Sequence, residues 1–319
     1  METILNLLPL SSAQQDAFRA AAPGAEHIFV PSASLRHSSD AATAEQLAAA
    51  TVILGCPSGA ALSRAGNLKW LHTWSAGVDP YLRPGVLPAG AALTCSAGAY
   101  GPAVSEHMLA MLLALMKRLP QYRDWQNERI FTDLGAVKTL AGATVLVGGC
   151  GDIGSHFALL CKALGAGRVV GLRRDPAKPA AGFDEVRPLA DLDALLPLAD
   201  VVALVLPSTP DTDGLLDERR LGLMKPDAIL LNAGRGAAVD CAALARCMAA
   251  GRLWGAGLDV TCPEPLPEGH PLWLQPRALI TPHVAGGGHL AATVERIVDI
   301  ALDNLGRYCA GRPLRNRMN

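Results

Sequence analysis

The run T-V-L-V-G-G-C-G-D-I-G-S, residues 144–155, restricts the choice of fold more than any other segment. A short apolar stretch ends in Gly149-Cys150-Gly151-Asp152-Ile153-Gly154, and a helical pattern rich in Ala and Leu follows over residues 155–164. In a chain with 32 glycines the string alone is weak. Between a strand and a helix it acquires a mechanism. The first glycine permits a tight turn, the second lets the backbone approach a pyrophosphate, and the third lets the helix pack on the strand. The helix N-terminus then faces the anion. Gly149, Gly151, Asp152, Ile153 and Gly154 are therefore candidates for binding a dinucleotide.

The same alternation extends along the chain. Nearly continuous apolar runs recur at residues 168–172, 200–206, 228–232, 255–260 and 278–282, with helical stretches between them. Such strands belong to a parallel sheet covered on both faces. Earlier strand candidates lie at residues 3–8, 27–30, 51–56, 68–73 and 92–95, with an alanine-rich helical stretch at 40–50. A long apolar helix pattern starts at Pro102, a polar stretch bearing aromatics follows at 121–133, and a helix pattern at 290–308 closes the chain. The expectation is an α/β protein of two Rossmann-like or flavodoxin-like domains with doubly wound parallel sheets. A length of 319 residues, half of them apolar, is enough for both cores.

Charge and cysteine usage remove other classes. The net charge is −1, from 28 basic and 29 acidic residues, which argues against a general nucleic-acid binder. The longest apolar run, near residues 108–116, is too short to span a membrane. The start M-E-T-I-L-N-L-L-P carries an acid where a secretory signal carries a base, so a soluble, cytoplasmic protein is expected. Cys56, Cys95, Cys150, Cys161, Cys241, Cys247, Cys262 and Cys309 are scattered without a C-x-x-C pair. They read as reduced, mostly buried thiols, with no metal site.

The strand after the glycine turn is R-V-V-G-L-R-R-D, residues 168–175. In an NAD-specific fold an acid about 20 residues beyond the glycines bonds the ribose hydroxyls. Arg173 and Arg174 occupy that strand tip instead. A carboxylate there repels a 2′-phosphate, whereas a guanidinium pairs with it, so NADP(H) is favoured over NAD(H). Asp175 keeps the other reading open, with two solvated arginines and the ribose contact made two residues later.

Three more residues follow successive strands. Arg235 lies in N-A-G-R-G, Glu264 in D-V-T-C-P-E-P and His283 in T-P-H-V-A-G. A cation, an acid and a base thus collect at the carboxyl edge, where open α/β sheets bind ligands. Singly, each has an ordinary explanation as a surface ion pair, a solvated turn or a loop histidine. Together they form a chemical set. The arginine can hold a carboxylate and polarise a carbonyl, the histidine can exchange the hydroxyl proton, and the neighbouring carboxylate can tune the histidine.

These segments resemble the signatures of the D-isomer-specific 2-hydroxyacid dehydrogenase family. The likeness rests on N-A-G-R-G, D-V-T-C-P-E-P-L-P-E-G-H-P-L-W and I-T-P-H-V-A-G, with L-P-S-T-P-D-T-D-G-L-L (206–216) and W-S-A-G-V-D (74–79) resembling two more. It covers essentially the whole chain, and the strand tip is similar to that of NADPH-dependent glyoxylate and hydroxypyruvate reductases. The resemblance implies that Arg235 binds the substrate carboxylate and carbonyl, that Glu264 pairs with His283, and that His283 is the general acid/base. It implies that the N–H groups of Ala76, Gly77 and Val78 cradle the carboxylate from the other domain. Asp259 would lie near the nicotinamide. Leu206, Pro207, Ala233 and Gly234 would line the cofactor cleft, with Arg235, His283 and Gly286 beside it.

The resemblance also implies a substrate domain of residues 1–100 plus 286–319 with a dinucleotide domain, 101–285, inserted in it. The chain would act as a homodimer on a small 2-oxo or 2-hydroxy acid, without nucleic acid or membrane partners. Trp74 and Tyr100 either narrow the substrate cleft or simply pack. Three alternatives stand beside this reading: a short, NAD-using phosphoglycerate dehydrogenase-like enzyme, a catalytically silent dinucleotide-sensing protein, and another Rossmann enzyme such as an adenosylhomocysteine hydrolase. An effector module after residue 319 is not expected, no partner-binding tail is evident, and the last alternative needs a longer chain and other catalytic residues.

Overall fold

The apolar runs of the first hundred residues become five short parallel strands: β1 (Thr3–Asn6), β2 (Glu26–Phe29), β3 (Val52–Leu54), β4 (Trp70–Thr73) and β5 (Ala92–Cys95). Their order is β2-β1-β3-β4-β5, the flavodoxin-like arrangement. The computed structural model describes residues 1–31, 35 and 41–319. Helices α1 (Ser12–Ala21) and α2 (Ala44–Ala49) each start at a capping box, in which Ser11 and Thr43 exchange hydrogen bonds with Gln14 and Gln46. Such caps stabilise a helix start by about 1 kcal/mol. The helix expected over 40–50 therefore begins behind Thr43, and Asp40 lies outside the described residues. A single turn, α3 (Gly59–Leu62), precedes β4. Leu5, Ile53, Leu71 and Leu93 meet on one face of the sheet as a buried core.

The second series opens with α4 (Gly101–Met116) and α5 (Leu119–Asn127), then β6 (Thr144–Gly148), α6 (Asp152–Ala163), β7 (Arg168–Arg173) and β8 (Glu185–Pro188). It continues through α7 (Leu192–Leu195), β9 (Val201–Leu204), α8 (Glu218–Leu223), β10 (Ile229–Asn232), α9 (Cys241–Ala249), β11 (Gly255–Leu258) and β12 (Ala278–Ile280). All seven strands are parallel, in the order β12-β11-β10-β9-β6-β7-β8. The chain reverses direction across the sheet between β6 and β9. That switch point opens a crevice at the carboxyl ends. Helix α10 (Ala291–Cys309) follows. The chain divides into two compact units, Met1–Tyr100 with Gly287–Asn319, and Gly101–Gly286. In the first unit the tail returns to β5, where Asn316 donates to the carbonyls of Cys95 and Ala97.

Four details differ from the sequence reading. Strand β8 was not anticipated, because E-V-R-P is polar, half-exposed and ends in proline, as suits an edge strand. The polar stretch at 121–133 begins inside a helix, α5. Helix α6 starts at Asp152 with Gly151 as its N-cap, so Gly154 belongs to the helix rather than to a turn before it. The thiols are all free, but Cys262 and Cys309 are exposed and only Cys95, Cys150, Cys161 and Cys241 are buried. Cys262 sits in the loop after β11 and Cys309 ends α10, neither of which is enclosed by the core. Among the described residues no helix is long and apolar enough to cross a membrane.

Candidate active site

The glycine turn is built as its spacing requires. Gly149 has φ +104°, in the region that favours glycine, and a side chain there would meet the carbonyl oxygen of Val205 at 2.7 Å. A Cβ on Gly154 would collide with the carbonyl oxygen of Gly149, which holds α6 tight on the turn. A Cβ on Gly151 would meet nothing within 4 Å, so this backbone is open to close approach. No side chain caps α6, leaving its leading N–H groups, at Asp152 and Ile153, for an anion. The Asp152 carboxylate points elsewhere, accepting from the N–H of Gly101 at 2.6 Å.

A cleft of about 710 Å³ lies in front of this turn, bordered by Gly149 and Gly151 on one side and by Leu206 and Pro207 after β9 on another. Arg173, Arg174 and Asp175 border it as well, together with Lys178 and Arg220, two further cations that the sequence reading missed. Lys178 follows the strand in a loop, and no pattern in the sequence sets it apart from other surface lysines. Arg173 ends β7 and donates to the carbonyl of Lys178 at 3.2 Å. The Asp175 carboxylate accepts from the N–H of Ala177 at 3.2 Å and closes its own turn. Cys150 also lines the cleft, and burial pushes its thiol up to about 11, against the pull of the Arg173 guanidinium. It stays a neutral thiol beside the turn. Open glycine backbone, uncapped N–H groups and four cations fit a phosphate-bearing dinucleotide.

Arg235, Glu264 and His283 sit on loops beyond β10, β11 and β12. After β10, buried Asn232 clamps the N-A-G-R-G turn: its Nδ2 donates to the carbonyl of Arg235 at 3.0 Å and its Oδ1 accepts from Gly234 at 3.1 Å. A Cβ on Gly234 would meet the Leu206 backbone at 2.7 Å, so this turn lies against the cleft wall, with Ala233 hydrogen-bonded to the carbonyl of Leu204. Gly236 abuts the backbone of Thr261, which seats the arginine turn against the loop carrying Glu264. Glu264 Oε1 lies 2.7 Å from His283 Nδ1. Both side chains are about half exposed, 44% and 52%.

What fixes the His283 loop is Asp259, only 2% exposed. Its carboxylate accepts from the Thr281 hydroxyl at 2.6 Å and from the N–H groups of Val284 and Ala285 at 2.9 and 3.0 Å. His107 on α4 reaches the same Thr281 hydroxyl at 3.0 Å. His283 itself adopts φ +52°, a left-handed conformation the clamp on both sides sustains. The family resemblance implied a place for Asp259 near the nicotinamide but gave no sign of this clamp, whose partners are all supplied by tertiary folding. Gly286 ends this unit and makes no part of the cleft in front of the glycine turn.

In the first unit, Ala76 and Gly77 are half-buried and Val78 is buried, in the loop after β4. Among the described residues nothing accepts from their N–H groups. Tyr100 Oη donates to the carbonyl of Trp74, so that residue packs the loop from behind.

Comparison with known proteins identifies the family. Residues 109–285 match the family model "D-isomer specific 2-hydroxyacid dehydrogenase, NAD binding domain". Glyoxylate/hydroxypyruvate reductase A of Serratia proteamaculans is 32% identical over 230 residues, 70% of this chain and 72% of that one. A D-isomer-specific 2-hydroxyacid dehydrogenase family protein of Aeromonas salmonicida superposes with a TM-score of 0.83 at 32% identity, covering 100% of this chain and 99% of that one. A D-isomer-specific 2-hydroxyacid dehydrogenase of Xanthobacter autotrophicus, solved with NADPH and MES, gives 0.80 at 28% identity, covering 100% and 98%. The chain belongs to the D-isomer-specific 2-hydroxyacid dehydrogenase family, as an NAD(P)H-dependent oxidoreductase of small 2-oxo and 2-hydroxy acids.

Proposed function

We propose that the enzyme reduces a small 2-oxo acid of the glyoxylate or hydroxypyruvate kind to the D-2-hydroxy acid, with NADPH as the preferred reductant. The observation that carries the chemistry is the 2.7 Å contact between Glu264 and His283 at the carboxyl edge of the dinucleotide-type sheet. When bound, the nicotinamide would supply the hydride that adds to C2 of the substrate. Glu264 holds Nδ1 of His283, which assigns proton delivery to Nε2 as negative charge develops on the substrate oxygen. Arg235 stabilises that charge and binds the carboxylate. The N–H groups of Ala76, Gly77 and Val78 also donate to the carboxylate, which makes the first unit the substrate domain and the second the dinucleotide domain. Asp259 positions the catalytic loop at the nicotinamide end, with Ala233, Gly234 and Gly286 beside it.

Arg173 and Arg174 are assigned to the 2′-phosphate, with Lys178 lining the same cleft. A charge-assisted hydrogen bond contributes about 1.5–3 kcal/mol, so Arg173→Ala should raise the NADPH KM roughly tenfold to a hundredfold and leave NADH unaffected. A second reading, NAD as cofactor, is favoured by one feature: Asp175 borders the cleft too. An unchanged NADPH KM in Arg173→Ala would overturn the assignment of Arg173 to the 2′-phosphate. We also propose a homodimer, supported by the exposed apolar side chains of Leu119, Ile130, Phe131 and Val137 on the second unit. Light scattering on the purified chain tests this, and a monomer mass would refute it.

The experiment for the function as a whole is oxidation of NADPH or NADH against glyoxylate, hydroxypyruvate, pyruvate and phenylpyruvate. NADPH oxidation fastest with the first two is expected. No oxidation with any 2-oxo acid would favour a dinucleotide-sensing binding protein.

A further inference from the structure

The interior of the first unit holds a polar network that the reaction scheme leaves unused. His72, Thr94 and Ser96 are all fully buried, at 0% exposure. His72 and Thr94 face each other across β4 and β5. Trp70 Nε1 donates to Thr94 Oγ1 at 2.8 Å, and the same oxygen lies 2.7 Å from His72 Nδ1. His72 Nε2 lies 3.2 Å from Ser96 Oγ, which donates to the carbonyl of Thr73 at 2.9 Å. The carbonyl of Ser75 accepts from the Ser96 N–H and from Thr73 Oγ1, at 3.2 and 3.0 Å. Ser75 Oγ in turn donates to the carbonyl of Gly77 at 2.6 Å.

The protons in this chain can be placed one by one. The Trp70 N–H can only donate, so it occupies one lone pair of Thr94 Oγ1. The Thr94 hydroxyl then needs an acceptor, and His72 Nδ1 is its partner. That leaves the ring proton on Nε2, donated to Ser96, and frees the Ser96 proton for the Thr73 carbonyl. The opposite tautomer would strand the Thr94 proton in the core and take the Ser96 proton away from Thr73, at the cost of an unsatisfied buried group. Burial also holds His72 down at about 3, so the ring is neutral throughout the physiological range.

This hydrogen-bonded network ends at the loop that carries the Ala76, Gly77 and Val78 N–H groups. In a trans peptide the carbonyl and the following N–H point in opposite directions. Anchoring the Ser75 carbonyl on Ser96 and Thr73 therefore turns the Ala76 N–H away from the buried network, and the Ser75 hydroxyl bond to the Gly77 carbonyl fixes the peptide that carries the Val78 N–H. We propose that His72, as its Nε2–H tautomer, is a positioning residue that acts through Ser96 to hold the Trp74–Val78 loop in the orientation that presents its N–H groups to the substrate carboxylate. This rests on the assignment of those N–H groups to the carboxylate. Aliphatic side chains at the three buried positions would fill the same space without the desolvation cost, which argues for a role beyond packing.

Kinetics of the full chain with NADPH and glyoxylate test the idea. Ser96→Ala and Thr94→Val should each raise the KM for the 2-oxo acid about fivefold to tenfold, as loss of a hydrogen bond of about 1 kcal/mol implies. Their kcat and NADPH KM should stay within about twofold. Thr94→Ser, which keeps the hydroxyl, should behave as wild type. In the wild-type protein, ¹⁵N NMR of the His72 ring should show Nε2 protonated and Nδ1 bare at neutral pH. An Nδ1-protonated ring, or an unchanged 2-oxo acid KM in both hydroxyl-deleting variants, overturns the proposal. Should Ser96→Ala fail to fold, Thr94→Val and the tautomer still decide. Gly77→Pro, which deletes one loop N–H outright, separates the two failures. If it raises the KM while the network variants do not, the positioning role alone falls; if it too has no effect, the carboxylate assignment falls and takes the positioning role with it.

Discussion

Two histidines in this chain sit in opposite surroundings. His283 is half exposed, on a loop, with a carboxylate at 2.7 Å. His72 is fully buried, on a strand, with hydroxyl groups on both nitrogens and, among the described residues, no opposite charge in contact. The first setting leaves the ring open to solvent with its Nδ1 against a carboxylate, the geometry a proton-transferring group needs. The second forbids such transfer. On the assignments proposed above, the same side chain is a proton carrier at one strand edge and a fixed hydrogen-bonding strut in the core of the other unit.

Several substitutions would break or sharpen this contrast. The largest effect is expected at Arg235. Replacing it with Ala removes the cation that meets developing charge, and kcat/KM should fall by about 10²–10³, read in steady-state turnover. Glu264→Gln keeps a hydrogen-bond partner for Nδ1 but removes the charge. It should lower kcat on the order of tenfold, with NADPH affinity unchanged by fluorescence titration. An equal loss in the two variants would mean that Glu264 does more than support His283.

A smaller effect concerns stability. His72 in the unfolded chain takes up a proton below its ordinary value of 6.5, whereas the folded chain resists protonation until about pH 3. Stability from this group is therefore complete above about pH 6.5 and declines as pH falls, by ~1.4 kcal/mol per pH unit. Urea unfolding should show a loss of about 2 kcal/mol between pH 6.5 and pH 5 that His72→Gln abolishes. A variant with the same acid dependence as wild type would place the sensitivity elsewhere.

The sequence disclosed the parts of the fold that repeat and the parts of the site that carry motifs. Strands such as V-V-A-L in β9 announce themselves by being apolar throughout, while E-V-R-P in β8 does not, because an edge strand needs only one covered face. Arg235, Glu264 and His283 were visible because each follows a strand in a distinctive string. Their supports were not. Asn232 holds Arg235 locally, but Asp259 acts on residues 22 to 26 positions away, through a register that only the folded sheet creates. His72 shows the same limit. In W-L-H-T it is one polar residue in a strand, and its partners lie 22 and 24 positions on, brought beside it by the pairing of β4 with β5. Lys178 escaped notice for a different reason: a loop lysine carries no pattern until a cleft forms around it.

The most direct measurement places the two histidines side by side, as kcat for glyoxylate at saturating NADPH in His283→Ala and in His72→Gln. Loss of general acid catalysis should cost His283→Ala about 10²–10⁴ in kcat, while His72→Gln keeps kcat within about twofold and shows its defect in substrate KM. Near-normal turnover in His283→Ala, or an equal fall in kcat in both variants, would contradict the assignment of proton transfer to His283.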